Sequence, residues 1–219
     1  MNLLDFARGP ALEWSLIILT FGVLWRLVGT FLFKGQTYLS KPKGTSFVSA
    51  GLKTIATRSW PPEQLEKGIR FQHYSGYIFH VGLFVVILFY EPHIAFFQWL
   101  LGFSWPGLPT NVTTILSGVT IAVLVALAIR RLTNPVLKSI TNADDWISWF
   151  VTIAPLVTGM MAFGHQNLGV NYESLLAIHI LSVCLLMIWL PFGKLMHMFL
   201  LFPGRYQMGE KFEFRGVQA

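Results

Sequence analysis

Apolar positions along this chain fall in long unbroken runs, not in the two-residue alternation of a half-buried strand. Crossing about 30 Å of hydrocarbon takes about 20 mostly apolar residues in a helix. Five runs meet that requirement: 11–33, 71–90, 111–129, 146–163 and 174–202. Glu91-Pro92 closes the second, Arg130-Arg131 the third and Pro203-Gly204 the fifth. No internal repeat or low-complexity stretch interrupts the pattern. It predicts an all-α integral membrane protein with five transmembrane helices, a single domain over 1–219 with a basic segment at 34–70. The first run is too long for a signal-peptide h-region and has no small-residue cleavage site, so it is expected to stay as a span.

Composition agrees with the pattern. Of 219 residues 54% are apolar and 12% charged, the charged share being about half that of an ordinary soluble domain. Mean hydropathy is +0.58. A soluble domain of this size cannot hide so much apolar surface, which excludes a soluble enzyme, a disordered chain and a fibrous repeat. The formal charge of +6 would suit nucleic acid, but the placement of the basic residues gives it another meaning. Lys34, Lys41, Lys43, Lys53, Arg58, Lys67 and Arg70 lie in 34–70, and Arg130, Arg131 and Lys138 in 130–145. Lys194, Arg205, Lys211 and Arg215 lie at the C-terminal end. The opposite face holds Arg8 alone, and Arg26 is inside the first span. By the positive-inside rule the N-terminus is outside and the C-terminus cytoplasmic. The expectation is a multi-pass protein of the inner (cytoplasmic) membrane, with lipid and not nucleic acid around it. Trp60, Trp99, Trp105 and Trp146 fall near the expected interfaces, as aromatic belts do.

Cys184 is the single cysteine. It excludes an internal disulfide, a cysteine zinc site, an iron–sulfur cluster and covalent CxxCH haem. There is no HExxH, GxSxG, P-loop or GxGxxG. The ionisable groups that do enter or flank the spans are six histidines: His73, His80, His93, His165, His179 and His197. An imidazole in hydrocarbon is costly and marks a functional site by default. His179 and His197 are 18 residues apart, which on one straight helix is five turns, the same face, and about 27 Å along the axis. Two stacked haems, each completed by a histidine from another helix, suit that spacing. Two histidines hydrogen-bonded to neighbouring helices account for it equally.

His80 sits in Ile78-Phe79-His80-Val81-Gly82, and His197 ends Leu190-Pro191-Phe192-Gly193-Lys194-Leu195-Met196-His197. With the His179 spacing, these motifs resemble the gamma subunit of respiratory nitrate reductase, a family of di-haem b membrane anchors. Related subunits serve sulfite-reductase-associated and heterodisulfide-reductase-like complexes. The resemblance covers roughly residues 70–206. It implies five helices with the N-terminus outside, and two non-covalent b haems within a four-helix core. It also implies His80 and His197 as axial ligands of the haem nearer the cytoplasm, and His179 on one side of the outer haem. Tyr90 stands at the family's fourth ligand position. His93 is the nearest substitute: it lies 13 residues after His80, about 20 Å along a helix but at a poor helical angle of about 220° unless Pro92 bends the chain.

His73 and His165 are alternates. His73 lies on nearly the same face as His80 and is an interface residue or a replacement for it. His165, in Gly164-His165-Gln166-Asn167, is a loop histidine, a wall of a quinone pocket or the outer ligand. Met160 and Met161 are a packing pair or a sulfur ligand, and Arg26 snorkels or meets a haem propionate. The reading is a di-haem cytochrome b subunit of a respiratory oxidoreductase complex. It exchanges electrons between the quinone pool and a cytoplasmic iron–sulfur subunit, which serves a separate catalytic subunit. The basic segment and C-terminal tail are docking surfaces for that partner. The rival readings are a histidine-lined transporter of metal ions or protons, which would favour acids in the spans where only Glu13 occurs, and a non-redox membrane anchor.

Overall fold

The computed structural model describes residues 2–32, 39–61, 63–165 and 169–217, the side chains of 63–67 lying outside that description. Phe33, Lys34, the Lys67 side chain, Gln166 and Asn167, all used above, are therefore outside the described residues. Everything regular among the described residues is helix. Helix α1 runs Leu3–Leu32 and opens on a capping box, in which the Asn2 side chain accepts from Asp5 N at 2.8 Å. A π-helical turn at Ala7–Ala11 accommodates Pro10. There follow α2 (Phe47–Thr57), α3 (Glu63–Phe89), α4 (Glu91–Leu101), α5 (Thr110–Thr133), the short α6 (Pro135–Ser139), α7 (Ala143–Phe163), α8 (Tyr172–Trp189) and α9 (His197–Arg215). Among the described residues five helices are long and apolar enough to cross a membrane: Leu3–Leu32, Gly68–Phe89, Thr110–Thr133, Ala143–Phe163 and Tyr172–Trp189.

Two boundaries correct the sequence reading. The fifth run does not continue to 202. It ends at Trp189, a turn and a 3-10 segment (Lys194–Met196) follow, and α9 begins anew at His197. Pro191 has no N–H to donate and disfavours the helical region at Leu190, and Gly193 is extended (φ −98°, ψ −171°). The five-turn relation between His179 and His197 needs one straight helix, so it does not hold. The loop expected after the second run is also partly helical. Tyr90 adopts an extended conformation (φ −82°, ψ 124°), Pro92 sits in the first turn of α4, and Gly102 closes that helix in the left-handed region at φ 81°.

The chain forms two compact units. The first comprises Met1–Trp14 and Ile69–Leu186, the second Ser15–Gly68 and Met187–Ala219. In the first, Leu124, Ile153 and Leu156 form a buried cluster against Phe79, Leu83, Ile121 and Trp149. Lipid tails are as apolar as leucine, so helices here associate by close packing of small residues. On α5 the buried positions Thr113, Ser117, Thr120 and Ala128 recur every three to eight residues. Ser148 and Thr152 do the same on α7. Gly82 of α3 meets Thr120 so closely that a Cβ would collide with its hydroxyl. Thr120 and Thr152 donate to the carbonyls of Leu116 and Ser148, each at 2.7 Å, which satisfies the hydroxyls inside the bundle. Trp149 Nε1 donates to Leu124 O at 2.9 Å. At the mouth of this pair Arg131 meets Asp145 at 3.1 Å and donates to Thr141 at 3.1 Å.

In the second unit α2 lies along α9. Gly209 rests on the Ala50 carbonyl and Thr54 Oγ1, and Gly51 on the Tyr206 ring. Ser46 N donates to Glu213 Oε1 and Lys43 N to Phe214 O, both at 3.0 Å. Arg205 donates to Ser59 Oγ at 2.9 Å, and the Arg58 guanidinium stands 5.8 Å from the Phe212 ring centre. These contacts give the basic segment 34–70 an ordered centre that the span pattern did not predict.

Candidate functional site

The site is built where α3 stops. The last carbonyls of a helix have no partner within it, and here the next segment supplies them. Leu108 N donates to Phe89 O at 2.9 Å, and Trp105 Nε1 to Leu88 O at 2.6 Å. His93 does the same from α4: its Nδ1 donates to Val86 O at 3.0 Å. The extended Tyr90 reverses the chain, so α4 folds His93 back onto the end of α3 instead of carrying it onward. Burial holds the His93 imidazole below the usual histidine range, outweighing its backbone hydrogen bonds, and so keeps it neutral.

Across from it stands His179 of α8. Its Nδ1 donates to Pro155 O of α7 at 3.0 Å, with Thr158 Oγ1 3.3 Å away. Thr158 and Ser182 are 3.0 Å apart, and Ser182 Oγ donates to His179 O at 2.7 Å. Gly159 gives the ring its room, since a Cβ there would lie 3.1 Å from His179 Cε1. The two imidazoles face each other with ring centres 6.1 Å apart and planes 16° from parallel. In each, Nδ1 carries the proton to a carbonyl, so the lone pair is on Nε2, the arrangement that orients metal-binding histidines.

The separation, though not the face-to-face stacking, matches an iron held between them, which would need both rings turned so that each Nε2 points at it. A metal–imidazole bond of about 2 Å, plus about 1 Å from nitrogen to ring centre, separates two axial ring centres by about 6 Å. Offset stacking of two neutral rings gives a similar distance, and the Nδ1–carbonyl bond occurs also at His80, His165 and His197. Among the described residues no three His, Cys, Asp or Glu side chains converge as a metal cage. A haem iron needs only two protein ligands, because the porphyrin supplies four nitrogens.

The remaining histidines are placed as follows. His80, on α3, donates from Nδ1 to Gly76 O at 2.6 Å and lies against the Phe79 and Phe84 rings. His197 is exposed at the first turn of α9, with Nδ1 donating to Lys194 O at 2.8 Å. His80 belongs to the first unit and His197 to the second. His73 packs edge-on to Tyr74 and Tyr77, ring centres 5.5 and 4.8 Å away. His165 donates to Ala162 O at 3.1 Å and lies 4.9 Å from the Tyr172 ring. Tyr90 packs edge-on to His93 at 5.3 Å. Burial, with Tyr172 and Glu91 nearby, pushes the Tyr90 phenol above its ordinary value, away from the phenolate that would bind a metal. Arg26 is exposed, and Met160 is half-buried beside an exposed Met161.

No residue spacing announced the Nδ1–carbonyl bonds shared by His80, His93, His165, His179 and His197, nor Gly159 and Thr158 as the supports of His179. No family model matches the chain, and no solved structure matches it. A protein of Nitratidesulfovibrio vulgaris is 30% identical to it over 215 residues, which is 93% of this chain and 91% of that protein.

Proposed function

We propose that this chain, which belongs to the same family as the Nitratidesulfovibrio vulgaris protein, is a di-haem cytochrome b subunit. It would carry electrons across the inner membrane between the quinone pool and a cytoplasmic iron–sulfur subunit of an oxidoreductase complex. The observation that carries the reading is the His93–His179 pair: ring centres 6.1 Å apart on two different helices, each Nδ1 held by a carbonyl. A bound b haem supplies a one-electron couple there. The chain's part would be to hold that haem through His93 and His179 as neutral ligands and to keep the surroundings apolar. The second haem is assigned to His80 and His197 on the motifs that resemble the nitrate reductase gamma subunit. Quinol or quinone would react near the outer pair. The terminal catalytic site belongs to a partner.

A pyridine haemochrome assay on purified protein tests this, with two b haems per chain as the expected result. Acid acetone should extract all of the haem, because Cys184 cannot form the thioethers of a covalent site. A haem-free protein would leave the non-redox anchor as the reading. The orientation is tested separately. With the fourteen basic residues named above on one side and Arg8 on the other, a C-terminal reporter fusion should be active only in the cytoplasm. Activity on the outer side would reverse the assignment of inner and outer haems.

A further inference from the structure

Helix α2 divides its surface three ways. Gly51, Thr54 and Arg58 lie within about 60° of one another on the helical wheel, on the side packed to α9, where Thr54 is fully buried. Ser49, Lys53 and Thr57 form a second, polar side, all exposed. Val48, Leu52 and Ile55 fall on a third side, again within about 60°. Val48 is 63% and Leu52 58% exposed, and Trp60, just past the helix, is 57% exposed. An aliphatic stripe of this kind on a helix flanked by lysines needs a cover.

We infer that α2 lies in the headgroup region of the membrane leaflet on its own side of the bilayer. There it seats Val48, Leu52 and Ile55 among the acyl chains and sets Lys41 and Lys43, just ahead of it, against anionic lipid. Three observations select lipid over a protein partner. Residues 39–61 carry Lys41, Lys43, Lys53 and Arg58 and no Asp or Glu, the charge that an anionic surface attracts. The helix is tethered to the membrane on both sides, because α1 ends at Leu32 and the next spanning segment begins at Gly68. Eleven steps join Thr57 to Gly68, the last five of them helical, which limits the reach to about 28 Å. Finally, the apolar stripe is separate from the polar side, so Ser49, Lys53 and Thr57 stay available to a soluble partner while the stripe is in lipid. Interfacial helices seat their apolar face about 5–10 Å below the headgroups.

Nitroxide labels at single cysteines test the inference in the full chain with Cys184→Ser, reconstituted into phosphatidylcholine vesicles with and without phosphatidylglycerol. In the phosphatidylglycerol vesicles a label at Leu52→Cys should relax faster with oxygen, which partitions into lipid, than with a water-soluble nickel chelate. A label at Lys53→Cys should show the reverse. Val48→Cys repeats the Leu52 reading if that variant folds poorly. Removing phosphatidylglycerol should raise the nickel accessibility of position 52. Equal nickel access at positions 52 and 53 would overturn the inference. So would shielding of position 52 from both reagents, which would mean burial against a protein surface such as a second copy. An unchanged position 52 without phosphatidylglycerol would overturn the electrostatic half. None of these outcomes depends on haem.

Discussion

His93→Ala should remove half of the b haem, or convert that half to a high-spin spectrum, and leave the other half unchanged. The substitution removes one of the two rings whose centres are 6.1 Å apart. It leaves His179 held by Pro155 O, so the lost spectrum reports a missing ligand and not a collapsed site. The second haem, proposed on the His80 and His197 motifs, should be unaffected, since it does not use His93. A haem held by both imidazoles would be low-spin, and one held by His179 alone would turn high-spin or be lost. Tyr90 stands 5.3 Å from the His93 ring, yet its raised phenol pKa disfavours the phenolate that would take over. His165→Ala and His73→Ala should leave both spectra intact, since each ring packs against tyrosines: His165 on Tyr172, His73 on Tyr74 and Tyr77. Optical and EPR spectra of the three variants check this together. A silent His93→Ala with haem lost from either of the others would move the fourth ligand to that residue. If all three are silent, Tyr90 or a methionine becomes the candidate.

The spans were legible because hydropathy over about 20 residues is a strong signal. What the sequence hid was where the backbone stops being helical inside or beside an apolar run. The poor angle computed for His93 assumed that the second helix continues past Tyr90. The extended Tyr90 breaks that assumption, and the fold-back does what the Pro92 bend was invoked to do. The opposite error occurred at Leu190-Pro191-Phe192-Gly193, where Pro191 and Gly193 are evident breakers. The apolar run outweighed them, although in a membrane the freed backbone groups can still be satisfied by neighbouring turns. Here Phe192 N and Gly193 N both donate to Trp189 O. Helix α2 was missed because its stripe is narrow, its neighbours are basic, and an 11-residue helix falls well below span length. The carbonyl partners of the histidines come from positions three to seven residues back, or from another helix. Local sequence does not encode the second kind.

Gly209→Ala should loosen the α2–α9 pair, while Gly204→Ala, five residues earlier on the same helix, should tighten it or do nothing. Alanine gains about 1 kcal/mol over glycine in a helix interior, and at Gly204 nothing within 4 Å opposes that gain. At Gly209 the added methyl would land on the Ala50 carbonyl oxygen, 2.6 Å from Thr54 Oγ1 and 2.8 Å from the Ala50 carbonyl carbon. Two of those three atoms are backbone and cannot rotate away, so α2 must back off along its length. Overpacking of this kind costs about 1–3 kcal/mol, which exceeds the propensity gain and sets the sign. The separation should also weaken the Ser46–Glu213 and Arg205–Ser59 hydrogen bonds that flank the contact. Limited proteolysis after Lys53 or Arg58 should therefore run faster in Gly209→Ala than in the parent chain, and no faster in Gly204→Ala. The haem spectrum assigned to His93 and His179 should be the same in all three, because that pair lies in the other compact unit. Equal cleavage of Gly209→Ala and parent would mean that the two helices do not pack through Gly209.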